Sequence, residues 1–247
     1  MAVLLLTFIC AGVFIIGKLR RAKKVINRIN QKQRETEHRL TECLDEREWL
    51  IGEVNHRVKN NLQVISSLLS NQSAYLTGAY ALDTIKTAQR RLHTISLAYH
   101  NMYVSEQLSN INLRQYVSAL LNYLKDEYNA GELIVINKEV IDISLGIQVT
   151  IPLGLIIYEA VSNAIKFAFP DTRKGVINIK ITEKENNKLL LIVSDNGAGF
   201  NDSYDPAQSN SLGLSLITGL SRQLGAEADI ISDRGLTVTV EFQFTEA

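Results

Sequence analysis

Residues 2–17, AVLLLTFICAGVFIIG, form an uncharged apolar run, and the next seven, KLRRAKK, carry five charges. A helix needs about 20 apolar residues to cross a bilayer. The run is slightly shorter, and Lys18 and Leu19 extend it because long basic side chains snorkel. A signal peptide carries its positive charge before the apolar core and a small-residue cleavage site after it. Here the charge follows the core. The pattern therefore predicts an uncleaved anchor over residues 1–19, single-pass in the cell (inner) membrane, with residues 20–247 on the cytoplasmic side.

Beyond the anchor, Ala22, Ile26, Ile29, Gln33, Thr36, Leu40, Cys43, Arg47 and Leu50 alternate by four and three. That is a heptad seam with a polar middle, which predicts a parallel two-stranded coiled coil over residues 20–48. A stripe of Leu50, Val54, Val58, Leu62, Ile65 and Leu69 follows, and after a turn near Thr77–Gly78 a second one, Leu82, Ile85, Ala88, Leu92, Ile95, Tyr99 and Met102. Two amphipathic helices with a short connection make an antiparallel hairpin over residues 49–128, and two such hairpins make a four-helix bundle in a homodimer. Proline is absent before Pro152 and glycine is sparse before Gly131. The second half, residues 129–247, therefore reads as a mixed α/β domain with turns, and the boundary falls near Tyr128–Gly131. Within it Thr150 and Pro152 suit a helix start. VINIKITE and KLLLIVSD alternate as strands around a polar KENNK turn, and EADIISD and LTVTVEFQF complete a sheet.

Charge sharpens this division. Basic and acidic residues number 26 each, but the first 34 residues hold eight basic side chains and no acidic one, leaving 18 basic and 26 acidic in the remainder. A net-acidic body without a basic stripe argues against nucleic acid as the main partner. Two cysteines, Cys10 and Cys43, exclude a disulfide framework or a Cys-rich zinc site.

The candidate chemistry begins at GEVNHRVKNNLQVISSLL. His56 lies two residues from Val54 and from Val58, about 200° around the helix, and so faces away from the apolar stripe. Arg57, Lys59, Asn60 and Asn61 crowd it with hydrogen-bond donors and positive charge. An imidazole stays a neutral nucleophile near pH 7, and such surroundings suit arrival of a phosphoryl group. By itself the pattern is better read as an ordinary surface histidine in a polar patch. The segment NHRVKNNLQVISSLL resembles the phosphoacceptor box of two-component sensor histidine kinases, in the subgroup with Arg after the histidine, and RRLHTISLAYHNMY resembles the second dimerisation helix of that subgroup.

Three further boxes follow in order. Glu159, Asn163 and Lys166, at i, i+4 and i+7, share one face of an otherwise apolar helix. A carboxylate, an amide and an ammonium so placed order water, ligate Mg²⁺ and offset phosphate charge; a polar helix edge is the plainer reading. The stretch is similar to the N box of the histidine-kinase ATPase domain, which implies Asn163 as Mg²⁺ ligand, Lys166 as phosphate contact and Glu159 as base or water-orienting group. DNGAGF, from Asp195 through Gly197 and Gly199, places a carboxylate at a strand end before a GxG that lets backbone approach a ligand. It resembles the G1 box of the GHKL (Bergerat-type) ATPases, where Asp195 reads the adenine amino group. The polar stretch NDSYDPAQSN suits a mobile lid. Ser211, Leu212, Gly213 and Leu214 then open a helix whose N–H groups favour phosphate, similar to the G2 box though with one glycine.

The resemblance implies an α plus α/β chain whose GHKL α/β-sandwich ATPase domain binds ATP with Mg²⁺. His56 is the expected phosphoacceptor, Glu53 (one turn earlier) and Glu159 the candidate bases, and a response-regulator receiver domain the partner. The alternatives are a GHKL-type ATPase or an inactive-kinase scaffold dimer without phosphohistidine chemistry.

Overall fold

A computed structural model describes residues 2–76, 78–104, 110–130, 133–169, 174–200 and 212–244. The expected lid and Ser211 lie outside these, as do the side chains of most of the expected anchor. Contacts divide the chain into two units, residues 1–53 and 54–247. The first unit is helical from Ala2 onward, as part of helix α1 (Ala2–Ser73). Its described side chains line no core of their own: Val25, Ile26, Ile29 and Leu40 are all exposed. Polar i,i+4 pairs such as Gln31 with Glu35 and Gln33 with Glu37 support the helix instead.

In the second unit, the last turns of α1 pair antiparallel with α2 (Ala79–Val104). Two contacts fix the register: the Asn55 amide on the Met102 sulfur at 3.9 Å, and Gln89 Nε2 donating to Ser70 Oγ at 2.8 Å. The stripe expected on α1 is not buried as one. Spacings of four overshoot a turn by about 40° each, so it widens around the helix. Val58, Leu62 and Leu69 fall on the side covered by α2, whereas Leu50, Val54 and Ile65 remain exposed together with Leu68. The second stripe is half-buried from Leu82 to Tyr99 and buried at Met102.

The body is built on α3 and a five-stranded sheet. Strand β1 (Asn110–Asn112) pairs antiparallel with β3 (Ser144–Gly146). Helix α3 (Leu113–Glu127) starts there because the Asn112 side chain accepts the N–H of Gln115 at 2.9 Å, capping the first turn. Leu113, Tyr116, Val117, Leu120, Leu121 and Leu124 recur at helical spacing and are all buried. They join the core formed by the sheet, so one core runs across the expected boundary near Tyr128–Gly131.

The sheet order is β2-β4-β5-β7-β6. Strand β2 (Ile134–Val140) runs parallel to β4 (Gly175–Lys184), and β5 (Lys188–Asp195), β7 (Leu236–Gln243) and β6 (Ala228–Ser232) follow antiparallel. Alternate residues, Ile177, Ile179 and Ile181 on β4 and Leu189, Leu191 and Val193 on β5, are buried. Each such side chain contributes about 1.5–3 kcal/mol relative to exposure. The opposite face is polar, with Lys180 on Glu139 and Lys188 on Glu241.

Helix α4 (Ile147–Asn163) is the spine of the body. It begins earlier than Thr150 and Pro152 led one to expect. Gly146 occupies the N-cap, Thr150 turns its hydroxyl back to Gly146 O at 3.1 Å, and Pro152 lies inside the helix. With its π-helical extension, Ala164–Ala168, it is long and apolar enough to cross a membrane, but most of it is buried inside the protein. Gly154 explains how closely the helices approach: a Cβ there would fall on the Tyr116 hydroxyl. That hydroxyl donates to Thr94 O on α2 at 3.2 Å, so α2, α3 and α4 meet at one point. Helix α5 (Leu212–Gln223) packs its buried Leu214, Ile217 and Leu220 against the same core.

Candidate functional site

His56 is exposed on α1, as its angular offset from the stripe requires, and Arg57 and Asn60 beside it are exposed as well. Lys59 is partly covered, and Asn55 is buried against Met102. Glu53 is the last residue of the first unit.

The body carries a cavity of about 290 Å³ between the end of α4 and the strand end at Asp195. Asn163, Asp195 and Gly199 supply its polar wall, and Phe167, Phe200, Leu214 and Leu236 its apolar one. Asp195 Oδ1 accepts the N–H of Gly197 at 2.8 Å. Burial pushes the Asp195 carboxyl up, opposed by backbone N–H donation from Gly197 and Leu236. A fixed acceptor set among apolar walls suits a flat heteroaromatic ring bearing an exocyclic amine.

The glycines have distinct reasons. Gly197 does not line the cavity: a Cβ there would collide with Ala168, whose carbonyl accepts the Ala198 N–H at 2.9 Å. Gly199, at φ +66°, is in the left-handed region and faces the cavity. Gly213 sits against the polar face of α4, where a Cβ would stand 3.0 Å from Glu159 Oε2 and 3.1 Å from Asn163 Nδ2. Leu212 beside it is exposed and Leu214 is buried in the cavity wall.

The helical spacing led one to expect Glu159, Asn163 and Lys166 together; Glu159 and Asn163 do stand side by side against Gly213, but Lys166, in the π-helical extension, does not join them. Asn163 faces the cavity. Glu159 is 3% exposed, and its Oε1 accepts Arg91 Nε from α2 at 2.6 Å. Lys166 is absent from the cavity lining; its Nζ lies 3.6 Å from Asp83 Oδ2 on α2 and 5.9 Å from the Tyr128 ring. The π turn explains this, since each of its residues advances by less than the ~100° of an α-helix and so displaces Lys166 from the face of Glu159 and Asn163. Arg91 and Asp83 were not legible as partners. RRLH holds two adjacent arginines, and only the fold distinguishes Arg91 on Glu159 from Arg90 on Glu127.

The donor set fits a nucleotide. Among the described residues, no group of three or more His, Cys, Asp or Glu could hold a metal.

Comparison with known proteins agrees. Residues 53–128 match the family described as histidine kinase, and residues 148–246 the family described as histidine kinase-, DNA gyrase B-, and HSP90-like ATPase. The chain is 27% identical to blue-light-activated histidine kinase 2 of Erythrobacter litoralis over 86% of its own length and 60% of that protein's. It is 31% identical to the sensor histidine kinase PdtaS of Mycobacterium tuberculosis over 77% of its own length and 37% of that protein's. It thus spans less than two thirds of either relative. The histidine kinase domain of the E. litoralis EL346 blue-light-activated kinase superposes with a TM-score of 0.60 at 25% identity, covering 80% of this chain and 92% of that one. The chain belongs to the two-component sensor histidine kinases, with a GHKL-type ATPase domain that implies ATP binding.

Proposed function

We propose that the chain is an ATP-dependent protein-histidine kinase that phosphorylates itself on His56. The observation that supports this reading best is the pairing, in one chain, of an exposed histidine in a cationic box with a body whose cavity presents Asp195 at its polar wall. In the reaction a ring nitrogen of His56 attacks the γ-phosphorus of ATP. The N–P bond forms, the P–O bond to ADP breaks, and the displaced ring proton passes to a carboxylate, Glu159 or Glu53. Asp195 accepts from the adenine amine, and Leu212, Gly213 and Leu214 direct backbone N–H groups at phosphate. Asn163 is the side chain that would help hold Mg²⁺, which supplies charge neutralisation on the phosphates when bound. Arg57, Lys59 and Asn60 receive the phosphoryl charge at His56. Lys166 serves as a phosphate contact only where it leaves Asp83.

We further propose that two copies join through the α1–α2 hairpin and the residue 20–48 helix, that residues 1–19 anchor them to the cell membrane, and that phosphohistidine donates to an aspartate of a separate receiver domain. Exposed Val54, Ile65 and Leu68 support the pairing. The test is incubation with γ-labelled ATP. Acid-labile label is expected on the wild-type chain and none on His56→Gln; label retained on the variant removes His56 from this role, and ATP turnover without any phosphohistidine favours a GHKL-type ATPase.

A further inference from the structure

The phosphoryl chemistry leaves one feature of the chain unused, the charge imbalance of its first 34 residues. Lys18, Arg20, Arg21, Lys23 and Lys24 follow the apolar run directly, Arg28, Lys32 and Arg34 come after them, and no acidic residue precedes Glu35. All eight basic side chains are exposed on α1. At about 100° per residue they lie on an arc of about 220°, and the open arc of about 140° holds Ile26, Ile29 and Gln33 of the heptad seam. With Ile26 and Gln33 at position a and Ile29 at d, none of the eight falls on the seam. The flanking e and g positions are where two paired helices exchange opposite charges. Lys32 at g would meet Glu37 at e of a second copy in that way. Nearer the apolar run, Lys18 at g would meet Lys23 at e, a like pair. Pairing therefore costs repulsion at this end of the stalk, and an anionic surface beside it offsets that cost. Residues 18–24 rise about 9 Å along the helix, comparable with the Debye length in physiological salt. Helical side chains also lean toward the N-terminus, here toward the apolar run. Lys18 shows the lean: its Nζ stands 5.0 Å from the centroid of the Phe14 ring.

We propose that residues 18–24 of two paired copies form a cationic collar that gathers anionic lipid headgroups at the membrane surface, and that these headgroups offset the repulsion between Lys18 and Lys23 and tighten the stalk. Charge complementarity selects the occupant, and continuity with the apolar run puts it within reach. Basic residues that only orient an anchor act once, during insertion, and leave no preference among lipids afterwards. The collar differs in that its preference persists in the finished bilayer and follows headgroup charge. Arg28, Lys32 and Arg34 stand about 15–24 Å along the helix from Lys18, where salt screens the surface, so the first five basic residues carry the effect. The collar rests on the anchor and pairing readings given above, and its test separates it from them.

The full chain is reconstituted in phosphatidylcholine nanodiscs carrying a trace of spin-labelled phosphatidylcholine or spin-labelled phosphatidylglycerol, and electron spin resonance reads the fraction of each label immobilised at the protein. Labelled phosphatidylglycerol is expected to associate about threefold or more strongly than labelled phosphatidylcholine at low salt, and the preference to fade toward equality near about 0.5 M salt. The triple change Arg20→Gln, Arg21→Gln and Lys24→Gln is expected to lose most of it; where that variant fails to reconstitute, the salt dependence of the wild type decides. Lys23→Glu turns the like pair into an opposite one. In phosphatidylcholine vesicles it is expected to tighten self-association about fivefold, read by energy transfer between labelled copies, and to shrink the further tightening that phosphatidylglycerol gives the wild type. Immobilised lipid without headgroup preference, a preference indifferent to salt, or one retained in the triple variant overturns the collar and leaves the anchor standing. No immobilised lipid of either kind overturns anchor and collar together. Self-association that ignores both Lys23→Glu and phosphatidylglycerol overturns the tightening of the stalk. None of these readouts depends on phosphohistidine chemistry.

Discussion

The body and the hairpin spend their apolar residues differently. In the body, Ile111, Leu120, Ile156, Ile177 and Val240 are inaccessible to solvent, and helices and sheet close on one another. On α1, Val54, Ile65 and Leu68 are 57%, 44% and 58% exposed although they have the same side-chain chemistry. A closed core contributes to the stability of the single chain. An open stripe contributes only when something covers it. The fold of the body is thus specified within one chain, whereas the exposed stripe of the hairpin is the surface proposed above to pair with a second copy.

The largest test of this contrast is Gly154→Leu. No room exists beside the Tyr116 hydroxyl, so the substitution is expected to cost about 3 kcal/mol by overpacking and to lower the melting temperature of the body sharply. A body that melts as before would mean the three-helix contact is not part of its core. Next comes the double change Val54→Lys and Leu68→Lys, expected to weaken self-association about a hundredfold by placing unpaired charge in an apolar contact, with the melting of the body unmoved. Sedimentation equilibrium reads this directly, and an unaltered dimer would mean that the exposed stripe is not the contact.

Smaller still is Asp195→Asn, expected to weaken ATP binding roughly 10- to 100-fold through loss of one half-buried charged acceptor, measured by calorimetry. Its pH dependence has a definite sign. Burial raises the Asp195 carboxyl above its usual 3.8 in the folded state. Its contribution to stability is therefore complete below the unfolded value and lost as pH rises through the folded one. At neutral pH the asparagine variant should melt no lower than wild type. Nucleotide affinity of the wild type, needing the ionised acceptor, should fall as pH drops into a window above 3.8, and the variant should lack that fall. A variant profile parallel to wild type would assign the titration elsewhere. The least effect is expected from Glu241→Gln: the Lys188 partnership lowers the Glu241 carboxyl, but on an open sheet face water screens the pair, and calorimetric melting should not move measurably.

Much of the body was legible because its signals are local. Alternation marks β4, β5, β6 and β7, and the boxes around Asn163, Asp195 and Gly213 lie on the elements where helix and strand patterns put them. Strand β2 escaped because only its ends, Ile134 and Val140, are buried, leaving no alternation to read. The start of α4 escaped because Gly146, with no capping side chain, outcompetes the stronger cap residue Thr150. The partners of Glu159 and Lys166 escaped for a different reason. Arg91 lies 68 residues away from Glu159 in the chain, and no local pattern encodes which of two adjacent arginines reaches it. The division of the α1 stripe was implicit in its spacings, whose cumulative rotation separates Val54 and Ile65 from Leu62 and Leu69.

The wide turn at Ala164–Ala168 carries a consequence for variation in this chain. Deleting any one of its five residues would restore ordinary helical winding and improve the helix considered alone. The same deletion would swing Ala168 away from the Ala198 N–H and take Phe167 off the cavity wall, severing the tether between helix end and Asp195 loop. Length is thus fixed here as firmly as the side chains that line the cavity, and shortening the segment by one residue should be tolerated by folding but not by nucleotide binding.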